Sequence, residues 1–289
     1  MKNKFKKIAL TSSVKNKDAL SIAKQCYEIL SGEGLTLLLD KSFDNLASAL
    51  NINSSSEEHI IKNSDLVIAI GGDGTMLDFL RKYGSRGIPI LGINLGSLGF
   101  LTDIAPGDLN KSLREIVNGN FIEDSRSFLT AKIKGKVYKA INEVVLHSGA
   151  VAKMIEFDLL IDNSLVYSQK SDGLIISTTT GSTAYSLSAG GPIIHPEIDS
   201  ISIIPMFPHS LSSSPFLVRK ESKIKIDLKK MSSKAFLSFD GSELVKVNKG
   251  QVVTINASSK KFKLIHPEGH DFFQACKTKL GWGQGIIKS

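Results

Sequence analysis

The stretch Leu66-Val67-Ile68-Ala69-Ile70-Gly71-Gly72-Asp73-Gly74-Thr75 restricts what this chain can fold into more than any other. A run of apolar and β-branched residues, the composition of a strand buried on both faces, breaks into glycines around one carboxylate and then resumes at helical spacing. Met76, Leu77 and Leu80 fit the inner face of that helix. Strand, loop and helix in this order put Asp73 at the carboxyl end of a strand, where open α/β sheets bind ligands. Glycines there let backbone N–H groups come close to a phosphate, and the helix N-terminus favours the anion. The plainer role of such a loop is a tight turn needing positive φ; a carboxylate held between glycines favours a site.

Length and composition bound the function. At 289 residues the chain exceeds the usual size of one domain, so two are expected. The net charge of +8 suits polyanionic ligands. No Lys/Arg run interleaved with aromatics is present, which argues against a nucleic-acid partner. Cys26 and Cys276 have neither metal-ligand nor disulfide spacing and are expected to pack in a reducing compartment. The first apolar run, Ile8 to Leu10, is too short for a signal peptide, and no stretch approaches membrane-spanning length. A cytoplasmic protein with no membrane partner is expected.

Along residues 1–120 strands alternate with helices. Residues 7–11, 35–39, 66–70 and 89–93 have strand character, and Ala19, Ile22, Ala23, Cys26, Ile29 and Leu30 repeat at helical spacing, as do Leu109, Leu113, Ile116 and Val117. An α/β N-terminal domain with a largely parallel sheet is expected. A second glycine-rich loop, residues 94–102, leaves the carboxyl end of the fourth strand. Residues 121–270 read as a mostly antiparallel β domain, with strands near 127–133, 137–146, 154–161, 174–177, 201–206, 223–228, 235–239 and 251–257. Residues 271–289 carry Phe272, Phe273, Leu280 and Trp282, too apolar for a free tail, and are expected to pack back on the α/β domain.

Residues 172–192 stand apart within the β region, because a buried strand runs into Ser177-Thr178-Thr179-Thr180-Gly181-Ser182-Thr183-Ala184-Tyr185-Ser186-Leu187-Ser188-Ala189-Gly190-Gly191-Pro192. Small hydroxyls and exposed N–H groups suit a nucleotide's phosphate and sugar oxygens, and Tyr185 offers a flat face to a ring. A helix capped by Ser182 or Thr183 is compatible with that role. Upstream, Asn142-Glu143 interrupts the apolar strand 140–146; adjacent residues on a strand face opposite ways, so at least one polar side chain is expected to need a partner.

Taken together, Gly71-Gly72-Asp73-Gly74-Thr75, Asn142-Glu143 and residues 172–192 make the chain similar to the NAD kinase family in its bacterial form. The similarity extends to residues 94–102, 142–147, 154–157, Pro205-Met206-Phe207-Pro208-His209 and Lys279-Leu280-Gly281-Trp282. The Gly-Gly-Asp-Gly element is shared with lipid kinases and phosphofructokinases; the loop at 172–192 discriminates. The resemblance implies ATP-dependent phosphorylation of the adenosine-ribose 2′-hydroxyl of NAD, with a divalent cation, Mg²⁺ by expectation, and a homotetramer or homodimer. It implies a β-sandwich-like C-terminal domain and an active site between the domains. Asp73 is then the general base and Gly74 lines the phosphates. Asn142 bonds the adenine, Glu143 the hydroxyls of a ribose, and Asp172 the nicotinamide half. Thr183, Ala184, Tyr185, Ser186, Leu187 and Ser188 line the adenine and ribose pocket. Lys153 and Lys170 stand where the family more often has His or Arg, Thr179 replaces a usual Pro, and Ser242 replaces the Gln of Asp-Gly-Gln.

The residues support phosphoryl transfer independently, since that chemistry is mostly positioning and charge neutralisation. No Gly-x-x-x-x-Gly-Lys-Ser/Thr loop or protein-kinase signature is present, and no Gly-x-Gly-x-x-Gly follows the first strand. The alternatives are a diacylglycerol-type lipid kinase, which shares the Gly-Gly-Asp-Gly loop, and a non-catalytic NAD sensor.

Overall fold

In a computed structural model of the chain, residues 4–96, 99–149, 153–210, 213–228 and 234–283 are described. Ser97 and Leu98 of the second glycine-rich loop, and residues 284–289 of the C-terminal segment, lie outside them. The chain divides into two units, residues 1–125 with 261–289, and residues 126–260.

The first unit contains strands β1 (Lys7–Thr11), β2 (Thr36–Leu39), β3 (Leu66–Ile70) and β4 (Ile90–Ile93), and helices α1 (Lys17–Gly32), α2 (Asp44–Ala49), α3 (Glu57–Asn63), α4 (Asp73–Lys82) and α5 (Leu109–Val117). All pairings among these strands are parallel, in the order β2-β1-β3-β4. Every residue of β3 is buried, which the unbroken apolar run requires. Leu66, Ile68 and Ile70 join Ile8, Leu10, α1 and α5 in one core, while Val67 and Ala69 alternate to the other face. On α4 the buried positions are Thr75, Met76, Phe79 and Leu80; Phe79, not Leu77, completes the inner face. Asn16 caps α1 by accepting the Ala19 N–H at 2.8 Å. The chain leaves β1 in one direction to form β2 and then returns to lay β3 on the opposite side of β1. The carboxyl ends of β1 and β3 therefore flank a topological switch point, the place such sheets reserve for ligands.

The second unit is built from β5 (Ile122–Ile133), β6 (Lys136–Ala140), β7 (Glu143–His147), β8 (Ile155–Ile161), β9 (Ser164–Ser177), β10 (Ser200–Pro208), β11 (Phe216–Arg219), β12 (Ile224–Asp227), β13 (Ala235–Phe239), β14 (Glu243–Val247) and β15 (Val252–His266), with the single-turn helix α6 (Tyr185–Ser188). β5 and β15 run across the unit boundary. Within this unit the strands pair antiparallel, in the order β14-β13-β7-β9-β8-β12-β15, with β10 also on β9. Leu146, Phe157, Leu174, Ile203, Ile226 and Leu237 belong to one core.

The last strand returns to the first unit, where Leu264 and Ile265 of β15 pair parallel with β4, so the return begins before residue 271. Helix α7 (Phe272–Leu280) follows, capped by Asp271 at one end and ended by Gly281 at φ 66°. Its buried residues are Ala275 and Cys276. Phe273 and Trp282 are about half exposed, at 53% and 45%, so the burial expected for both is not found. No described helix is long and apolar enough to cross a membrane.

Three further expectations change. The strand expected over 137–146 is two strands, because the Asp240 carboxylate takes the N–H groups of Ile141, Asn142 and Glu143 and ends the ladder there. The strand expected at 174–177 begins at Ser164, so Lys170 and Asp172 lie within β9. Neither Ser182 nor Thr183 caps α6, whose N-cap position is taken by Ala184 without a side-chain hydrogen bond. The Ser182 hydroxyl donates instead to Thr179 O at 2.7 Å and accepts from Ile194 N at 3.1 Å.

Candidate functional site

Asp73 opens α4 at the switch point. Ser12 and Ser13, directly after β1, reach across to it: Ser12 Oγ donates to Ile70 O at 2.7 Å, and Ser13 Oγ lies 2.8 Å from Thr75 Oγ1. The second glycine-rich loop grips the carboxylate. Phe100 N donates to Oδ2 at 2.9 Å, Leu101 N to Oδ1 at 3.1 Å, and Thr102 Oγ1 to Oδ1 at 3.2 Å. Asn94 Nδ2 in turn donates to Thr102 Oγ1 at 2.8 Å, which orients that hydroxyl. Gly99 is required here, because a β-carbon would overlap both the Asp73 carboxylate and the Thr102 hydroxyl. Lys279 of α7 places its ammonium 3.5 Å from Asp73 Oδ2. The Asp73 side chain is 28% exposed, so it is fixed yet reachable, and Gly74 beside it is exposed with open space around it.

The same loop is anchored one residue later. Asp103 Oδ2 lies 2.8 Å from Nδ1 of both His266 and His270, whose rings stack at 3.9 Å. Burial would raise the Asp103 pKa, but hydrogen bonds from the two imidazoles outweigh it and hold the carboxyl at about 2. Three such side chains are a conceivable cation cage. Here, however, the Asp103 oxygen already occupies the point on which both ring nitrogens converge, so the cluster acts as a hydrogen-bonded clamp tying loop 100–103 to the start of the C-terminal segment.

In the second unit, Glu143, His147, Asp172, Tyr185, Met206 and Asp240 line a cavity of about 680 Å³. The strand break positions Glu143. On one side, Asp240 receives Ile141 N at 2.9 Å, Asn142 N at 2.8 Å and Glu143 N at 3.1 Å. On the other, Thr178 donates its hydroxyl to Ile141 O at 2.7 Å and its N–H to Asn142 O at 2.8 Å. Glu143 is 5% exposed and its Oε2 is buried without a hydrogen-bond partner. Burial, and secondarily the Asp240 carboxylate, push the Glu143 pKa up to about 8. A buried carboxyl oxygen without a partner, on a residue that lines a cavity, is an unmet demand for hydrogen bonding, which ligand hydroxyls can meet by donating to its ionised form. His147 is held below its ordinary pKa by burial.

Of the residues expected at the site, Glu143, Asp172 and Tyr185 come together around this cavity. Asn142, Thr183, Ala184 and Leu187 are half-buried beside them in the chain, Ser186 is buried and Ser188 exposed. Lys153 and Lys170 are exposed and do not line the cavity. Ser242 turns its hydroxyl to Phe239 O at 3.1 Å and closes a turn. Sequence reasoning missed Asp240, Thr102, His147 and Lys279. Asp240-Gly241 forms a turn, with Asp240 at φ 48°, and nothing local in its sequence signals that its carboxylate accepts from Ile141, Asn142 and Glu143 far upstream. Asp240→Ala is expected to destabilise the protein by about 2–4 kcal/mol, since it orphans a cluster of backbone donors that now bond a carboxylate. A urea midpoint corresponding to a loss below about 1 kcal/mol would show that water satisfies those groups instead.

Residues 7–121 match the family description ATP-NAD kinase N-terminal domain, and residues 141–267 the ATP-NAD kinase C-terminal domain. The chain is 41% identical over 288 residues to the NAD kinase of Azotobacter vinelandii, covering 98% of each. It is 44% identical over 263 residues to that of Acinetobacter baylyi, covering 89% of this chain and 86% of the relative. Among solved structures, an NAD kinase from Archaeoglobus fulgidus in complex with ATP superposes with a TM-score of 0.74 at 28% identity, over 93% of this chain and 96% of that one. Yeast NADH kinase complexed with NADH shares the fold, with a TM-score of 0.88 at 24% identity, over 98% and 90%. With both family domains matched in order, and relatives above 40% identity along most of its length, the chain belongs to the NAD kinase family.

Proposed function

We propose that the protein transfers the terminal phosphoryl group of ATP to the 2′-hydroxyl of the adenosine ribose of NAD, giving NADP and ADP. The observation that carries this is Asp73, an accessible carboxylate fixed at the switch point by the Phe100 and Leu101 N–H groups. A sugar hydroxyl is a weak nucleophile at neutral pH, and a positioned carboxylate that accepts its proton contributes about 10²–10⁴-fold. The exposed Gly74 leaves the first turn of α4 open to phosphate oxygens. Asn142 bonds the adenine, the Glu143 carboxylate takes ribose hydroxyls, and Asp172 takes the nicotinamide half. Thr183, Ala184, Tyr185, Ser186, Leu187 and Ser188 complete the pocket, with Lys153 and Lys170 at its charged margin. The ATP complex of the archaeal relative supports ATP as donor.

Mg²⁺ bound with ATP would supply charge neutralisation at the phosphates. A glycine loop with the single carboxylate of Asp73 suits a cation coordinated mainly by phosphates and water, which Asp73 would favour by its charge. We infer a cytoplasmic homotetramer or homodimer with Lys170 and Asp172 near a subunit boundary; light scattering on the active enzyme measures that assembly, and a fully active monomer would refute it.

The test of the activity is incubation with NAD, ATP and Mg²⁺, with NADP quantified chromatographically and its phosphate located by ³¹P NMR. Formation of NADP is the expected result. Phosphorylation of diacylglycerol in its place would establish a lipid kinase, and NAD binding without turnover a sensor.

A further inference from the structure

Given the phosphoryl transfer proposed above, the group in flight needs a cation that the Gly71-Gly72-Asp73-Gly74-Thr75 loop does not itself supply. The glycine loop carries no lysine, and the sequence has no phosphate-loop lysine of the Gly-x-x-x-x-Gly-Lys type. Yet phosphoryl transfer depends on neutralising the charge of the transferred oxygens. Among the described residues, Lys279 is the cation within 4 Å of the Asp73 carboxylate, at 3.5 Å from Oδ2. We propose that Lys279 is a catalytic residue whose ammonium contacts the phosphoryl group while Asp73 takes the hydroxyl proton.

The hydrogen bonding at Asp73 supports an exchange of partners. A carboxylate offers about four acceptor positions. Leu101 N and Thr102 Oγ1 occupy two on Oδ1, Phe100 N one on Oδ2, and Lys279 approaches the remainder at the long limit of a hydrogen bond. A substrate hydroxyl that donates to Asp73 takes the weakest of these places. Lys279 is then released next to the oxygen being phosphorylated. In the step itself, the hydroxyl proton goes to Asp73 and the new O–P bond forms. The bond from the terminal phosphorus to the bridging oxygen breaks, its electron pair leaves with ADP, and Lys279 remains an ammonium throughout.

The helix bearing Lys279 is built to hold it there. Asp271 accepts from Phe273 N and Gln274 N at the start of α7, and Ala275 and Cys276 are buried beneath it. The clamp of His266 and His270 on Asp103 ties the start of the same segment to the loop that grips Asp73. The Lys279 ammonium also lies 5.9 Å over the Phe100 ring, which keeps the long side chain along that loop. A purely structural pairing is the competing account. Both partners are more than a quarter exposed, at 29% and 28%, and such exposed pairs add little to stability. Loss of Lys279 therefore leaves folding nearly unchanged if its role is chemical.

The test compares Lys279→Met, Lys279→Arg and Lys279→Ala with the wild type in NADP formation. Lys279→Met is expected to lower kcat by at least about 10²-fold, the usual effect of removing one charge-stabilising donor. KM for NAD and the melting temperature should stay close to wild type. Lys279→Arg should recover part of the rate, and so should Lys279→Ala when ethylamine or methylamine is added, which a structural role would not produce. A kcat for Lys279→Met within about threefold of wild type would overturn the assignment, and so would a loss that tracks a lower melting temperature and is rescued by neither Arg nor amine. A wild-type protein that makes no NADP would refute the proposed activity itself, a result distinct from both.

Discussion

Asp73→Asn is expected to lower kcat by at least about 10²-fold while NAD still binds. Asparagine has nearly the shape of aspartate but cannot accept the hydroxyl proton. The nucleotide contacts assigned to Asn142, Glu143 and Tyr185 belong to the other unit, so affinity should survive. The substitution is not structurally silent. Both Asp73 oxygens are acceptors, for Phe100 N, Leu101 N and Thr102 Oγ1, and an amide nitrogen can replace one oxygen only by facing a donor with a donor. The loop should lose at least one hydrogen bond, worth about 1–3 kcal/mol to a charged acceptor. Melting temperature must be measured beside kcat, so that a fall in rate can be separated from unfolding. NAD lacking its adenosine 2′-hydroxyl should bind and never be phosphorylated. Near-normal turnover by the Asn variant would remove Asp73 as the base, and phosphate found on another hydroxyl would overturn the acceptor assignment.

What the sequence made legible here was local. Leu66 to Ile70 is recognisable as a doubly covered strand because burial on both faces demands an unbroken apolar run. The glycines after it locate Asp73 because backbone freedom is written into residue type. Periodicity likewise located α1 and α5, and with them the parallel half of the fold. What stayed hidden depends on partners far along the chain. Asn142-Glu143 looked like an interruption inside one strand, since alternation says nothing about an acceptor a hundred residues away; Asp240 makes it a break. Lys279 stood in a recognised motif, yet only the return of β15 beside β4 and the docking of α7 place it on Asp73. Phe273 and Trp282 were misjudged for a related reason: residue type predicts a preference for burial, while the face that α7 presents is set by Ala275 and Cys276. Periodicity reads one face of one element, and a site assembled from several elements needs the topology as well.

Glu143 should make NAD binding depend on pH in a direction fixed by its surroundings. Its carboxyl titrates at about 8 in the folded protein against an ordinary 4.5, because it is buried and stands beside the Asp240 carboxylate. Between those values the folded chain holds a proton that the unfolded chain has released. The group's contribution to stability therefore falls as pH rises from about 4.5 to about 8 and is constant beyond. Ribose hydroxyls that donate to the carboxylate favour its ionised form, so binding near pH 6–7 must expel the proton. NAD affinity should rise with pH by up to about tenfold per unit and level off above pH 8. Titration calorimetry in buffers of different ionisation enthalpy would register the released proton directly. Glu143→Gln mimics the protonated form. It should bind with an affinity independent of pH, weaker than wild type by about 10–100-fold at pH 8.5, the worth of a hydrogen bond to a charged acceptor. It should also be more resistant to unfolding than wild type, by a margin that widens from pH 5 to pH 8. The orphaned Oε2 explains why both effects come from one group: the carboxylate is costly to the empty fold because the partner it lacks is supplied by the ligand. A wild-type affinity for NAD that stays flat from pH 6 to pH 8.5, with no proton released, would place the ribose hydroxyls elsewhere.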